Sequence, residues 1–331
     1  MKRNTRTRVA ATIAVATASL VALTGCTLGQ SAPQPGGATI GAGALAQAGT
    51  LNGVKLAVGG KEFTEQKVLC QLAIQALKSV GAETTDRCGL SGSNTVRQAL
   101  TSGQVDLYWE YTGTGWVSHL KKTETIKDPA ALFDKLAAED KDAHQVSWID
   151  RAPANNTYAI AAKAAKASEL KVSTISDYAA LATSNPNQAT FCGAAEFFGR
   201  DDGWAGLQKA YGFTLPADKR SELALGAIYA SIDRSNPCNF GEVFATDGRV
   251  KSMGLTVLDD DKAFFPIYNP AISIRTPVLD QHPDIEKILA PVAAALDDET
   301  LQTLNASVDV DGKDPAAVAH DWLQQKGFIG R

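Results

Sequence analysis

Residues 105–114 read Val-Asp-Leu-Tyr-Trp-Glu-Tyr-Thr-Gly-Thr, an apolar run that ends in small polar residues. The run from Val105 to Trp109 predicts a short buried strand. A helix that begins at Ser93 or Asn94 and continues through Leu100 is expected to precede it. This segment therefore predicts a helix followed by a central strand, and helices and strands are also expected to alternate on either side of it.

Upstream, Val54 to Val58 predicts another short strand, and Gly59-Gly60 follows it. Thr64 is a candidate cap for the next helix, and a strand is expected near Thr84 to Leu90. The apolar stripe of that helix comprises Val68, Leu69, Leu72, Ala76, Leu77 and Val80. Downstream, a helix at 129–138 and a strand at 146–149 are expected.

A second region is predicted to begin with a strand from Thr157 to Ala162. Helices near 175–182, 204–211 and 225–232 alternate there with strands near 189–192, 242–245 and 255–258. A returning strand at 271–275 and helices near 285–295, 299–307 and 315–325 follow. Because strands and helices alternate, we expect α/β lobes, each with a central sheet flanked by helices.

Length and composition limit the class of protein. The 331 residues are 44% hydrophobic and 21% charged, so the chain can bury a large core in two domains or lobes. With 32 Lys and Arg against 36 Asp and Glu, the net charge is −4, which argues against nucleic-acid binding because that function needs a basic surface. The mean hydropathy of −0.11 excludes a protein made mainly of transmembrane helices.

The N-terminus is predicted to be a lipoprotein signal peptide. A basic segment is followed by an apolar run from Val9 to Leu23, which is short for a membrane span. The run ends in Leu-Thr-Gly-Cys at 23–26, which resembles the lipobox of bacterial lipoproteins. Residues 1–25 would then be removed and Cys26 lipidated at the membrane, with an ordinary secretory signal as the alternative. Residues 26–53 are rich in small and polar side chains and predict a flexible tether.

Four further cysteines remain, an even number that favours disulfides in an exported chain. Cys70 is expected on the first helix and Cys88 on the next strand, whereas Cys192 and Cys238 both fall in the middle of the chain. Of three possible pairings we therefore expect Cys70–Cys88 and Cys192–Cys238. A zinc site is the alternative, but no Cys-x-x-Cys is present and the four histidines are scattered.

Five segments resemble the substrate-binding proteins of osmoprotectant ABC importers, which capture glycine betaine, proline betaine, carnitine or choline. They occur in the family's order and are Gly59 to Gln66, Val105 to Thr114, Asn155 to Tyr158, Phe244 to Arg249 and Phe264 to Asn269. The resemblance implies a two-lobe periplasmic-binding-protein fold of the type II kind. Lobe one would comprise 54–156 and 269–331, lobe two would comprise 157–268, and two crossings near Asn156 and Tyr268 would form the hinge.

The resemblance also implies an aromatic cage between the lobes. A quaternary ammonium has no N–H to donate, so aromatic faces bind it better than hydrogen-bond acceptors do. By motif position the cage would comprise Tyr111, Tyr158, Phe244 and Tyr268. Phe244 stands where tyrosine is commoner in the family, which keeps the ring face and removes a hydroxyl.

The carboxylate of a betaine needs cations or strong donors. The resemblance implies Lys61 and Arg200 for this role, with a hydroxyl or N–H of Thr114. The Asn156 backbone carbonyl would face the methyl groups. If both cations face the cleft, zwitterionic betaines should bind better than choline.

The expected function is therefore an extracytoplasmic binding protein, a monomer, that delivers a quaternary amine to an ABC permease and its ATPase. The alternatives are a binding protein for another small solute, such as choline only or an amino acid, and a lipid-anchored envelope enzyme. The enzyme alternative has little support, because the sequence lacks Gly-x-Ser-x-Gly, His-Glu-x-x-His and a Walker loop. No catalytic residue, metal, cofactor or nucleic-acid partner is expected.

Overall fold

The computed structural model describes residues 40–330, which form two α/β lobes that are each built on a five-stranded sheet. The predicted α/β class with two flanked sheets is thereby confirmed. The predicted signal peptide, the lipidation site at Cys26 and the first part of the tether lie outside the described residues. Within 40–330, none of the helices combines the length and the apolar content that a membrane crossing requires.

The first sheet has the strand order β2-β1-β3-β10-β4. Its strands are β1 (Lys55–Lys61), β2 (Glu83–Leu90), β3 (Leu107–Tyr111), β4 (Val146–Ile149) and β10 (Pro270–Arg275). β1 runs parallel to β2 and β3, whereas β10 is antiparallel to both β3 and β4. The helices of this lobe are α1 (Thr64–Ser79), α2 (Ser93–Thr101), α3 (Pro129–His144), α10 (Thr276–Gln281), α11 (Asp284–Ala294), α12 (Asp298–Asp309) and α13 (Pro315–Gln325), with a π-helical turn at Thr114–His119.

The second sheet has the strand order β7-β6-β8-β5-β9. Its strands are β5 (Tyr158–Lys163), β6 (Phe191–Gly193), β7 (Arg220–Glu222), β8 (Phe240–Phe244) and β9 (Leu255–Val257). Its helices are α4 (Ala164–Leu170), α5 (Ile175–Ser184), α6 (Ala195–Gly199), α7 (Trp204–Tyr211), α8 (Leu225–Asp233) and α9 (Gly248–Ser252), with a 3-10 turn at Ala217–Lys219. β8 is the central strand, parallel to β6 and antiparallel to β5.

The chain passes between the two sheets twice, after β4 and after β9, and the two connections are bonded to each other. The backbone N–H of Asn156 donates to the carbonyl of Tyr268 at 3.1 Å. The Asn155 side chain accepts from the N–H of Tyr268 at 2.8 Å, and the Thr157 hydroxyl donates to the carbonyl of Pro266 at 3.2 Å. The two connections are therefore held together by hydrogen bonds, next to the aromatic residues of the candidate site.

Strand β3 is displaced from its predicted position by two residues, because its pairing begins later than its apolar run. Val105 is buried, but its N–H donates to the carbonyl of Ala99 at the end of α2. Sheet pairing starts with Leu107 opposite Val58, and antiparallel pairing with β10 continues to Tyr111. The shift makes Tyr111 part of the strand, so the sheet holds its backbone in place.

The flexible tether predicted for 26–53 is wrong for residues 40–53, which pack on the first lobe. A 3-10 turn at Ala44–Gln47 buries Leu45, and Leu51 is buried as well. Ala42 pairs with Ile329, and the N–H of Leu51 donates to the carbonyl of Val80 at 2.8 Å. Two leucines and these backbone bonds are enough to fix a segment whose overall composition resembles a linker.

The structure contains the two disulfide bonds that the sequence analysis favoured, one in each lobe. Cys70 on α1 is joined to Cys88 on β2, with a sequence separation of 18 residues. Cys192 on β6 is joined to Cys238, with a separation of 46 residues. The loss of loop-closure entropy in the unfolded chain predicts that the first bond stabilises the fold by about 3 kcal/mol and the second by about 4 kcal/mol. The four thiols are therefore not available as zinc ligands.

Candidate ligand-binding site

A cavity of about 690 Å³ lies between the two lobes. Seven of the eight predicted ligand-binding residues line it, namely Lys61, Tyr111, Thr114, Asn156, Tyr158, Phe244 and Tyr268. The eighth, Arg200, is buried next to the wall, where it contacts the lining residues Thr114 and Glu196. Residues that are far apart in sequence are thus brought to one site between the lobes.

The aromatic side chains form a continuous cluster across the cavity. The Tyr158 ring lies 5.2 Å from the Phe244 ring and 5.5 Å from the Tyr268 ring, which it meets edge to face. Phe63, which the sequence analysis did not single out, lies 5.4 Å from Phe244 and 6.2 Å from Tyr111. Phe63 belongs to the same motif as Lys61, so the motif itself was the available signal. The cluster gives a cation several ring faces from both lobes.

Glu65 is a fully buried carboxylate that fixes one wall of the cavity. One oxygen accepts from the Tyr111 hydroxyl and the Asn156 amide, both at 2.8 Å. The other accepts from Asn305 at 2.8 Å and from Thr246 of the second lobe at 2.5 Å. Burial raises the pKa of Glu65 even though these donors lower it. Glu65, which the sequence analysis missed, therefore holds the Tyr111 ring and joins the lobes.

Lys61 is buried in an ion pair. Its ammonium lies 2.6 Å from the Glu110 carboxylate and 5.0 Å from the centre of the Tyr111 ring. His119 contacts the other Glu110 oxygen at 3.2 Å. Burial would raise the pKa of Glu110, but Lys61 and His119 outweigh that effect and lower it to about 2. The Lys61 charge, expected to face a ligand carboxylate, is already balanced by a charge of the protein.

Arg200 is also paired. Its Nε and Nη2 donate to the Asp202 carboxylate at 2.7 and 2.5 Å, and its Nη1 donates to Glu196 at 3.1 Å. Asp202 also accepts from the Tyr268 hydroxyl at 2.6 Å, which orients that ring. Nη1 is the edge nearest the cavity, 3.4 Å from the Thr114 hydroxyl. The sequence analysis did not single out the carboxylates of Asp202 and Glu196, although Glu196 stands four residues before Arg200, a spacing at which opposite charges meet on a helix.

The lobes touch each other around the cavity. The Ser93 hydroxyl at the start of α2 donates to Glu196 of α6 at 2.6 Å. On the other side Gly248 of α9 meets Ala306 of α12, where a Cβ at 248 would lie 2.5 Å from the Ala306 Cβ. These contacts, with that of Thr246 on Glu65, are between residues of different lobes. The lobes therefore contact each other on both sides of the cavity.

Two α/β lobes that enclose one cavity, with two connections between them, define the class of the solute-binding proteins, which close around small ligands. Residues 54–325 match the family described as the substrate binding domain of ABC-type glycine betaine transport system, and the chain belongs to this family. The resemblance drawn from the motifs is thereby confirmed. As a substrate-binding component of an ABC importer, the chain is not an enzyme, and it works outside the cytoplasm with a permease.

Relatives of known name agree with this assignment. The chain is 36% identical over 278 residues to the glycine betaine-binding protein YehZ of Escherichia coli, which covers 82% of this chain and 90% of that protein. It is 35% identical to a glycine-betaine-binding protein of Pseudomonas aeruginosa, covering 87% and 91%. The solved structure of apo YehZ superposes with a TM-score of 0.61 at 34% identity, covering 84% of this chain and 100% of that one.

Proposed function

We propose that the protein captures a quaternary-ammonium osmoprotectant, with glycine betaine as the first candidate, and delivers it to the permease. The observation that carries this proposal is the aromatic cluster in the cavity between the lobes, in which the Tyr158 ring lies 5.2 Å from the Phe244 ring and 5.5 Å from the Tyr268 ring. Ring faces attract a methylated ammonium by about 0.5–2 kcal/mol for each good contact. The names of the relatives support the same ligand.

The carboxylate of the ligand is proposed to lie near Thr114 and the Nη1 edge of Arg200. Arg200 is bonded to Asp202 and Glu196, so a ligand carboxylate would share its guanidinium with Glu196 rather than meet a free cation. Lys61 is proposed to act at longer range, since Glu110 neutralises it. A ligand that touches rings of both lobes stabilises the closed form over the open one. The proposed hinge is the pair of connections near Asn156 and Tyr268. It would join lobe one, residues 54–156 and 269–331, to lobe two, residues 157–268.

Replacing Arg200 by alanine is expected to weaken glycine betaine about tenfold more than choline, because choline has no carboxylate. Isothermal titration calorimetry with both ligands measures the ratio. Arg200 also bonds to Thr114 of the other lobe, so some loss for both ligands is expected. Equal losses would show that Arg200 supports closure and does not recognise the carboxylate.

A panel of solutes tests the proposed function as a whole. Calorimetry with glycine betaine, choline, carnitine and amino acids separates a betaine-binding protein from one that takes choline only or an amino acid. Binding of glycine betaine at micromolar concentration is the expected result. Failure of every quaternary amine to bind would reject the proposal.

Membrane attachment is proposed to come from a lipid on Cys26, which would place the protein, as a monomer, on the outer face of the cytoplasmic membrane. The support is the order of basic segment, apolar run and Leu-Thr-Gly-Cys at the N-terminus. Mass spectrometry of the protein purified from membranes tests it. A diacylated Cys26 is expected, and an unmodified N-terminus at another residue would contradict the proposal.

A further inference from the structure

Helix α12 packs on both lobes through two adjacent rows of side chains. Leu301 and Leu304 are buried in the core of the first lobe. The next row contacts the segment 245–249, which follows β8 in the second lobe, and comprises Gln302, Asn305, Ala306 and Asp309. Residues three and four apart lie on one face of a helix, so this row forms a continuous surface. The contact between this row and residues 245–249 is called the α12 seam below.

The α12 seam begins beside the connections between the lobes and runs away from them. At its start, the N–H of Asn155 donates to Asp298, the first residue of α12, at 2.7 Å. Two turns further along, the Asn305 amide donates to the carbonyl of Thr246 at 3.0 Å. Rotation of the lobes about the connections therefore changes the spacing across the seam.

At its outer end, each side of the seam is held by its own lobe. Arg249 donates through Nε and Nη2 to Asp247 at 2.9 and 2.6 Å, and its guanidinium carbon lies 3.9 Å from the centre of the Tyr229 ring. On the other side, Asp309 accepts from the Thr64 hydroxyl at 2.6 Å. The Arg249 and Asp309 side chains meet at 3.3 Å. Because both are positioned within their own lobes, the lobes meet here as two preformed surfaces.

The two surfaces approach each other most closely at Gly248. A Cβ at 248 would lie 2.5 Å from the Cβ of Ala306, 2.7 Å from its Cα and 2.8 Å from its nitrogen. Carbon atoms in contact are separated by about 3.5–4.0 Å, so a side chain at 248 would widen the seam by roughly 1 Å. Gly248 is the first residue of helix α9 and does not have a left-handed φ, so the local backbone accepts any residue. Glycine is unfavourable in a helix relative to alanine, so the approach of α12 explains its presence.

We propose that Gly248 sets how far the lobes close around a ligand, which makes it a positioning residue for binding although it does not line the cavity. Four residues before it, Phe244 brings its ring to 5.4 Å from the ring of Phe63 in the first lobe. A wider seam separates these two rings, and contacts made by dispersion weaken steeply with such a gap. A ligand then keeps its contacts with one lobe and loses part of those with the other, which removes the advantage of the closed form. The proposed function supplies only the probe ligand for this inference.

Gly248→Ala is expected to bind glycine betaine about tenfold more weakly than the wild type, and Gly248→Val at least about 50-fold more weakly. Stopped-flow kinetics should assign the loss to faster dissociation, with an association rate within about twofold of wild type, because the ligand first meets the open form. Urea unfolding without ligand measures any separate effect on the fold. A variant that is less stable but keeps the wild-type dissociation rate would overturn the proposal.

Gly199→Ala is the matched control. Gly199 is also a helical glycine of the second lobe, but a Cβ there would meet no atom within 4 Å. This variant should bind glycine betaine within about twofold of wild type. A tenfold loss in Gly199→Ala would show that the steric contact at 248 is not the cause, and would overturn the proposal.

Ala306→Val enlarges the same contact from the side of α12, and it serves if the variants at 248 do not fold. Ala306 is only partly buried, so the helix can accept a larger side chain there. Dissociation of glycine betaine should be about tenfold faster than in the wild type. An unchanged rate in folded Ala306→Val would overturn the proposal.

Closure is also measured without any ligand. Dyes attached through an unnatural amino acid at Asp142 and Lys209, exposed positions of the first and second lobe, report the separation of the lobes by single-molecule energy transfer. The closed population should be at least about fivefold smaller in Gly248→Ala than in the wild type. Equal populations would overturn the proposal.

The outcome for the proposed function is read separately. If glycine betaine binds the wild type and Gly248→Ala equally well, the inference about Gly248 fails and the proposed function stands. If no quaternary amine binds the wild type, but the closed population is smaller in Gly248→Ala, the proposed function fails and the inference stands.

Discussion

Replacing Tyr158 by alanine is expected to weaken glycine betaine and choline alike, by about 30-fold, or about 2 kcal/mol. The ring lies in the middle of the aromatic cluster, in contact with Phe244 and Tyr268 and with Phe197 behind it at 5.1 Å. Its loss removes one face from the cage and loosens the rings beside it. Both ligands carry the trimethylammonium group, so calorimetry should show the same factor for each.

Tyr158→Phe is the matched control. Within the described residues the Tyr158 hydroxyl makes no side-chain hydrogen bond, whereas Tyr111 is fixed by Glu65 and Tyr268 by Asp202. The phenylalanine variant should therefore bind both ligands within about threefold of wild type. A large loss of affinity in Tyr158→Phe, or no loss in Tyr158→Ala, would show that the ring face of Tyr158 does not contribute to binding.

Replacing Lys61 by methionine is expected to lower the free energy of unfolding by about 3–5 kcal/mol, because it leaves the Glu110 charge buried without its main partner. Lys61 is 3% exposed and Glu110 is 0% exposed, so water cannot take the place of the missing ammonium. Urea unfolding measures the change. A loss below about 1 kcal/mol accompanied by a large loss of betaine binding would show instead that Lys61 serves the ligand and not the fold.

The double variant Lys61→Met, Glu110→Gln provides the control. Glutamine keeps the size of Glu110 and its contacts with Tyr108 and His119, but it carries no charge. We expect it to recover at least about 2 kcal/mol of the loss seen in Lys61→Met, since no unpaired charge remains. A double variant less stable than Lys61→Met would contradict the ion-pair explanation.

The same ion pair predicts a dependence of stability on pH. The pKa of Glu110 falls from its ordinary 4.5 to about 2 in the folded protein. Its contribution of about 3 kcal/mol is therefore complete above pH 4.5 and is lost as the pH falls toward 2. The difference in unfolding free energy between the wild type and Glu110→Gln should shrink over this interval. A difference that stays constant there would show that Glu110 has an ordinary pKa.

Part of the candidate site was predictable because it rests on local motifs. Tyr111, Tyr158, Phe244 and Tyr268 each belong to one of the segments that resemble the family, and all four line one cavity in the fold. The partners of the charged residues were not predictable in this way. Asp202 lies two residues from Arg200, but Lys61 and Glu110 are 49 positions apart, and nothing in their spacing shows that they meet.

The α/β class, the alternation of strands and helices and the family motifs are already present in the order of the amino acids, because they depend on interactions between near neighbours and on patterns of apolar residues. The ion pair of Lys61 with Glu110, the anchoring of residues 40–53 by Leu45 and Leu51, and the position of Glu242 at the cavity depend on contacts between distant segments. The free energy of a buried charge is set by its partner and by the water it loses. Both are defined only once the two lobes have folded and closed around the cavity.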